Sequence, residues 1–142
     1  LGQSYYREPT YEISFRFRRI LVPVDGSESS LFALDLALDF ARRYGSRITV
    51  LHVRVEGLGD KGVLDKAKRR ASGKPVHVEF KERVCSPRSS SVASEILEEV
   101  YEGGYDAVII GARGTTVSED IQVGSTALSL VTHAPVTVVV VR

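Results

Sequence analysis

The chain is nearly without cysteine. Cys85 stands alone among 142 residues, so no internal disulfide can staple the fold, and a reducing compartment suits it. Three scattered histidines and one thiol also lack the ligand spacing of a zinc site. Net charge is almost missing as well: 19 Lys and Arg against 18 Asp and Glu leave +1. That balance has no concentrated basic face, which excludes a phosphate-backbone binder and hence a nucleic-acid partner. No apolar run approaches the ~18–20 residues that span a bilayer, and the first residues lack the apolar core of a signal peptide. A cytoplasmic protein with no membrane partner is expected. Repeats and low-complexity tracts are likewise missing.

What is there is material for one domain. A hydrophobic fraction of 43% over this length can build a real core. Residues 1–16 are polar and aromatic without periodicity and read as an N-terminal extension; residues 17–142 read as the domain. The branched runs 20–24, 47–55, 107–110 and 136–141 read as strands, and 76–84 alternates Val76, Val78 and Phe80 against His77, Glu79 and Lys81, as a half-exposed strand near a sheet edge does. Between them Leu31, Leu34, Leu38 and Ala41, and later Val92, Ile96, Leu97 and Val100, recur at helical spacing. Ser27 is a candidate N-cap and Gly45 a helix stop. Strands and helices in strict alternation predict an α/β fold: a five-stranded parallel sheet with helices on both faces and right-handed crossovers.

One stretch combines several signals. Residues 106–125, DAVIIGARGTTVSEDIQVGS, run as strand, glycine loop and helix start, with Gly111, Gly114 and then Gly124-Ser125-Thr126 heading an apolar segment. Glycines admit close backbone approach, and a helix N-terminus attracts phosphate oxygens. This is a phosphate cradle of a kind distinct from a Walker A loop: the Gly-Lys-Ser/Thr ending is missing, and no lysine occurs between Gly111 and Arg142. The turn after strand one, Asp25-Gly26-Ser27, competes for the ligand. Ligands of doubly wound sheets lie outside the strands' carboxyl ends where strand order reverses. An order 3-2-1-4-5 sets these two loops side by side, whereas 2-1-3-4-5 would set the 85–87 loop beside strand one; the first unites the site-like residues and is expected.

These residues resemble the universal stress proteins, in particular their ATP-binding branch. The carriers are ILVPVDGSE (20–28), LHV at the end of strand two (51–53), and Gly111-x-x-Gly114, nine residues, then Gly124-Ser125. The resemblance spans residues 17–142 and implies a Rossmann-like adenine-nucleotide-binding fold. It implies that Asp25 contacts the nucleoside, that Pro23, Val24 and Val53 line an adenine pocket, and that Gly111, Gly114, Gly124 and Ser125 hold ribose and phosphates. Thr126 at the helix head and Arg113 in the loop are secondary candidates. The chain departs from many members in carrying Cys85-Ser86-Pro87 where they have Gly-x-Pro, and its 57–73 connection is short.

Each signal has a plainer structural reading. Asp25 can be a turn carboxylate, Gly111 and Gly114 tight-turn residues, Arg113 a solvated charge, and His52, His77, His133 and Cys85 structural. The functional reading is an ATP-binding, nucleotide-dependent stress-response or signalling module, with Mg²⁺ or Mn²⁺ accompanying the nucleotide. No catalytic residues are assigned, because no base and nucleophile pair can be assembled, so any ATP hydrolysis should be slow. The alternatives are a nucleotide hydrolase or ligase of related fold, against which the missing Ser-Gly-Gly-x-Asp-Ser loop argues, and a dimeric interaction domain with no nucleotide. The apolar strand 136–141, at an unblunted edge, is expected to pair with its copy in a homodimer; the resembled family pairs this way.

Overall fold

The computed structural model describes residues 13, 15–113 and 123–142, so Gly114 and nearly all of the 1–16 extension lie outside the described residues. From residue 19 on, five strands and four helices alternate among the described residues: β1 (Arg19–Val24), α1 (Glu28–Tyr44), β2 (Arg47–Val55), α2 (Val63–Ala71), β3 (His77–Cys85), α3 (Val92–Gly103), β4 (Ala107–Gly111), α4 (Ser125–His133) and β5 (Thr137–Val141). The sheet is parallel throughout with the order β3-β2-β1-β4-β5, the order expected from the sequence.

Strand β1 is central and reads RILVPV because both its faces are covered. Ile20 and Val22 point to one side, where Leu34 and Leu38 of α1, Ile48 and Val50 of β2, and Val63 and Ala67 of α2 pack on them. Leu21 points to the other, against Leu51, Ile96, Val100, Val108 and Leu130. The core is thus two apolar layers, with α1 and α2 on one face and α3 and α4 on the other. Each fully buried Leu or Ile here contributes about 1.5–3 kcal/mol.

Local chemistry sets the helix ends. Ser27 caps α1, its hydroxyl accepting from the Ser30 N–H at 3.2 Å, and Gly45 ends it in a left-handed conformation at φ 74°. Ser91 caps α3 in a reciprocal box with Ser94.

The edge strand β3 is bound differently from the rest. Its Val78 and Phe80 reach the apolar layer under α1 and α2, but the alternate face, read from the sequence as solvent-facing, lies partly under α3. Glu95, Glu98, Glu99 and Glu102 are spaced i, i+3, i+4, i+7, one stripe of α3, and all four carboxylates surround Arg83 at 2.8–3.3 Å. Glu99 is 1% exposed and also accepts from Lys81 at 3.0 Å and from the Tyr105 hydroxyl at 2.8 Å. Burial alone would raise the Glu99 pKa; the donors Lys81, Tyr105 and Arg83 outweigh it and hold the carboxyl below its ordinary value. The Tyr105 phenol is pushed up to about 12, by burial first and by Glu99 in addition, against a lowering hydrogen bond with Thr49.

A carboxylate whose folded pKa is depressed stabilises the fold above its unfolded value, and that stability is lost as pH falls through the folded value. Glu99→Gln is therefore expected to destabilise the protein at neutral pH by about 1–3 kcal/mol. It should also flatten the fall in stability below the ordinary carboxylate pKa of 4.5. Urea midpoints from pH 7 to pH 3 check this: an equally steep acid limb in the variant would remove Glu99 from that role.

Candidate functional site

The chain leaves β1 and β4 at their carboxyl ends, and since β1 and β4 are direct neighbours, the two following loops open a crevice between them. A cavity of about 360 Å³ occupies it, within the range of small-molecule sites. Pro23, Val24, Asp25, Val53, Gly111, Arg113, Gly124, Ser125 and Thr126 all line it, so every described residue singled out from the sequence is brought together. Gly114 lies outside the described residues. Cys85 is buried elsewhere, 3.5 Å from the Ser90 hydroxyl. A larger, shallower hollow of about 910 Å³ lies at the opposite end of the sheet, among Arg18, Arg19, Arg47 and His77. Parallel sheets place ligands at the other end, and Arg19 is already committed to the Gly103 carbonyl, so that hollow is set aside.

The first wall is the turn after β1. Gly26 adopts φ 86°, which a side chain rarely tolerates, and Asp25 Oδ1 accepts from the Ser27 N–H at 2.9 Å. Asp25 is thus a turn-forming carboxylate and a cavity residue at once; the two readings do not exclude each other.

The second wall begins at Gly111. A side chain there would collide with Ser29: an added Cβ would lie 2.5 Å from its hydroxyl and 2.6–2.7 Å from its backbone C and O. Glycine at 111 is demanded first by the packing of β4 against the first turn of α1. Ser29, which the sequence reading passed over, joins the walls, its hydroxyl reaching the Val141 carbonyl at 3.5 Å and accepting from the Arg113 N–H at 3.3 Å. The loop then returns, with the Gly124 N–H donating to the Ala112 carbonyl at 2.5 Å.

Helix α4 starts at Gly124, a cap residue with no side chain to offer its first N–H groups, unlike α1 and α3, whose serines supply that partner. Helix α2, which also opens at the cavity, starts at Gly62 in the same uncapped way. Apolar side chains, Leu51, Val92, Ile96 and Ala127, form the floor. The site can therefore hold a flat apolar group over aliphatic side chains and offer N–H donors and a hydroxyl to an anion.

Three further wall residues, His52, Asp60 and Lys61, come from β2 and its exit. The glycine loop has no lysine of its own, yet the connection 57–62 brings Lys61 to the cavity. The amine of Lys66 comes within 3.9 Å of the point where a side chain on Gly26 would start. Only the folded order of strands could have shown either. Among the described residues no three of His, Cys, Asp and Glu gather as a metal site, and no helix is long and apolar enough to cross a membrane.

Comparison with known proteins places this geometry. The chain is 27% identical to the universal stress protein YxiE of Bacillus subtilis over 87% of its own length and 99% of the relative's. It is 28% identical to a universal stress protein of Methanocaldococcus jannaschii over 89% of this chain and 82% of the other. Among solved structures, a universal stress protein from Archaeoglobus fulgidus in complex with dAMP superposes with TM-score 0.68 at 22% identity, covering 89% of this chain and 98% of that one. A universal stress protein in complex with cAMP gives 0.72 at 20%, covering 89% and 97%. The model of the universal stress protein family matches residues 16–142, and the chain belongs to that family.

Proposed function

We propose that the protein is an adenine-nucleotide-binding module, with ATP as its ligand, acting in stress response or signalling from the cytoplasm. The observation that carries this reading is the convergence of the Asp25 turn, Val53 and the Gly111, Gly124 and Ser125 backbone on one cavity of about 360 Å³. Two structural neighbours from the same family are complexes with adenine nucleotides, which supports the ligand class.

The residues fit such a ligand in kind. Pro23, Val24 and Val53 supply an aliphatic slot for the base, Asp25 accepts from hydroxyl or amine donors, and the uncapped N-terminus of α4 with Ser125 and Thr126 receives phosphate oxygens. Arg113 and Lys61 add positive charge at the wall. Mg²⁺ or Mn²⁺ would enter with the phosphates, since the described residues offer no carboxylate cage of their own. The sequence assembles no base and nucleophile pair, so in this reading the chain's contribution to turnover is small and ATP binding is the function rather than its hydrolysis.

Asp25→Ala is expected to weaken ATP binding by about 1–3 kcal/mol, and Gly124→Val to abolish close approach to the α4 N-terminus, both with the fold retained by circular dichroism. Titration calorimetry measures both, and wild-type affinity in Gly124→Val would refute the cradle. Phosphate release from ATP should stay far below a typical enzyme's ~10 per second; a rate near that value, lost on Ser125→Ala, would make this protein an enzyme.

We further propose a homodimer through β5. That strand ends the sheet, Val138 through Val141 are half-buried, and Leu128 and Val131 of α4 are 57% and 53% exposed. Antiparallel pairing of two copies would satisfy the edge. Light scattering at tens of micromolar should give twice the chain mass, and Val139→Lys should give the monomer; a wild-type monomer would reject the interface.

A further inference from the structure

The nucleotide reading leaves one buried group of the cavity unused. His52 is 7% exposed, its ring lines the cavity, and its Nδ1 is sealed from solvent with no hydrogen-bond partner. Native folds rarely leave such a nitrogen unpaired. The carboxylate of Asp60 stands 3.7 Å from it, beyond a hydrogen bond yet close enough to bias where the ring proton sits. Asp60 is followed directly by two left-handed residues, Lys61 at φ 57° and Gly62 at φ 64°, which turn the chain into α2. A lysine in that conformation is uncommon and marks a segment whose path is held by its surroundings. Sheet register sets His52 beside Val24 on β1 and Glu82 on β3, and Glu82 is engaged by Arg54 at 2.7 Å.

We propose that Asp60 fixes His52 in the Nδ1–H form, so that Nε2 is a hydrogen-bond acceptor turned to the cavity and selects a base carrying an N–H donor. This deepens the nucleotide reading and rests on it. A neutral imidazole carries one proton on two nitrogens, and a carboxylate on the Nδ1 side draws the proton there. His52 lines the cavity while Nδ1 is sealed, and the cavity-facing edge of the ring is accordingly assigned to Nε2 in this proposal. The exocyclic amine of adenine can donate to it. The carbonyl that guanine carries at the same position would oppose acceptor to acceptor, and a site built for a donor discriminates strongly against its absence. His52 is a specificity residue in this scheme, and Asp60 a positioning residue that acts through it.

The test combines calorimetric binding of ATP and GTP to the full chain with ¹⁵N imidazole spectra of the free protein. The wild type is expected to prefer ATP and to show His52 protonated at Nδ1. Asp60→Ala, at a side chain 57% exposed, should mix the two tautomers and reduce the preference by about tenfold, roughly the worth of one hydrogen bond. His52→Phe should lose the preference to a similar extent, and His52→Gln, which keeps an acceptor near the Nε2 position, should restore part of it. Nε2–H in the wild type, or an unchanged preference in Asp60→Ala while ATP still binds, overturns the inference and leaves the nucleotide reading standing. A wild type that binds neither nucleotide overturns that reading, and base selection falls with it.

Discussion

The pairing of β4 directly beside β1 is the constraint from which the rest follows. With Ile20 opposite Ala107 and Leu21 opposite Val108, the chain has built the sheet outward through β2 and β3 and must then cross back to the other side of β1. Helices after β1 and β4 consequently fall on opposite faces, and their loops separate at the strand ends. The crevice is a product of connectivity; side chains only decide what it can hold. Both layers of the core depend on the same register, since alternate residues of β1 feed one layer each.

Within that crevice β4 packs tightly on the first turn of α1. Gly111 gives up its side chain to let Ser29 approach, and the Ser29 hydroxyl then meets both the end of β5 and the start of the loop that leads to α4. The first turn of α1, following Asp25, and the glycine wall are therefore joined as one unit. A change at residue 111 would disturb the fold before it reported on a ligand, whereas residue 124, at the uncapped start of α4, reports on the ligand more directly.

Local features were legible in the sequence because their physics is local. The alternation of branched runs and helical spacings, the Ser27 cap, the Gly45 stop and the 111–125 glycine spacing each rest on residues a few positions apart, and the strand order followed from asking which loops belong together. What is not legible is non-local. The place of His52 on the cavity wall beside Asp60 depends on the path of 57–62, and Lys61 enters the wall from a connection that reads only as a glycine-spaced loop. The acidic stripe at 95, 98, 99 and 102 is visible as helical spacing, but its partner Arg83 lies on a strand whose charged face reads as facing water.

That ionic seam also ties stability to the site. Helix α3 turns Glu95, Glu99 and Glu102 toward β3, and Val92 and Ile96, three residues before Glu95 and Glu99 respectively, form part of the cavity floor. Apolar packing holds the inner end of the helix through Ile96 and Val100, but its outer side is anchored to the edge strand by Arg83 and Lys81. Arg83 is 17% exposed at its side chain, and its bonds to Glu99, Glu95 and Glu102 overcome the lowering effect of burial and raise its pKa, so it stays charged at any pH the fold survives. Glu99, held below its ordinary value against its burial by Lys81, Tyr105 and Arg83, is the carboxylate whose stabilising charge is lost as pH falls. The same helix carries Val92 and Ile96 of the cavity floor, so the α3–β3 seam and that floor are positioned together.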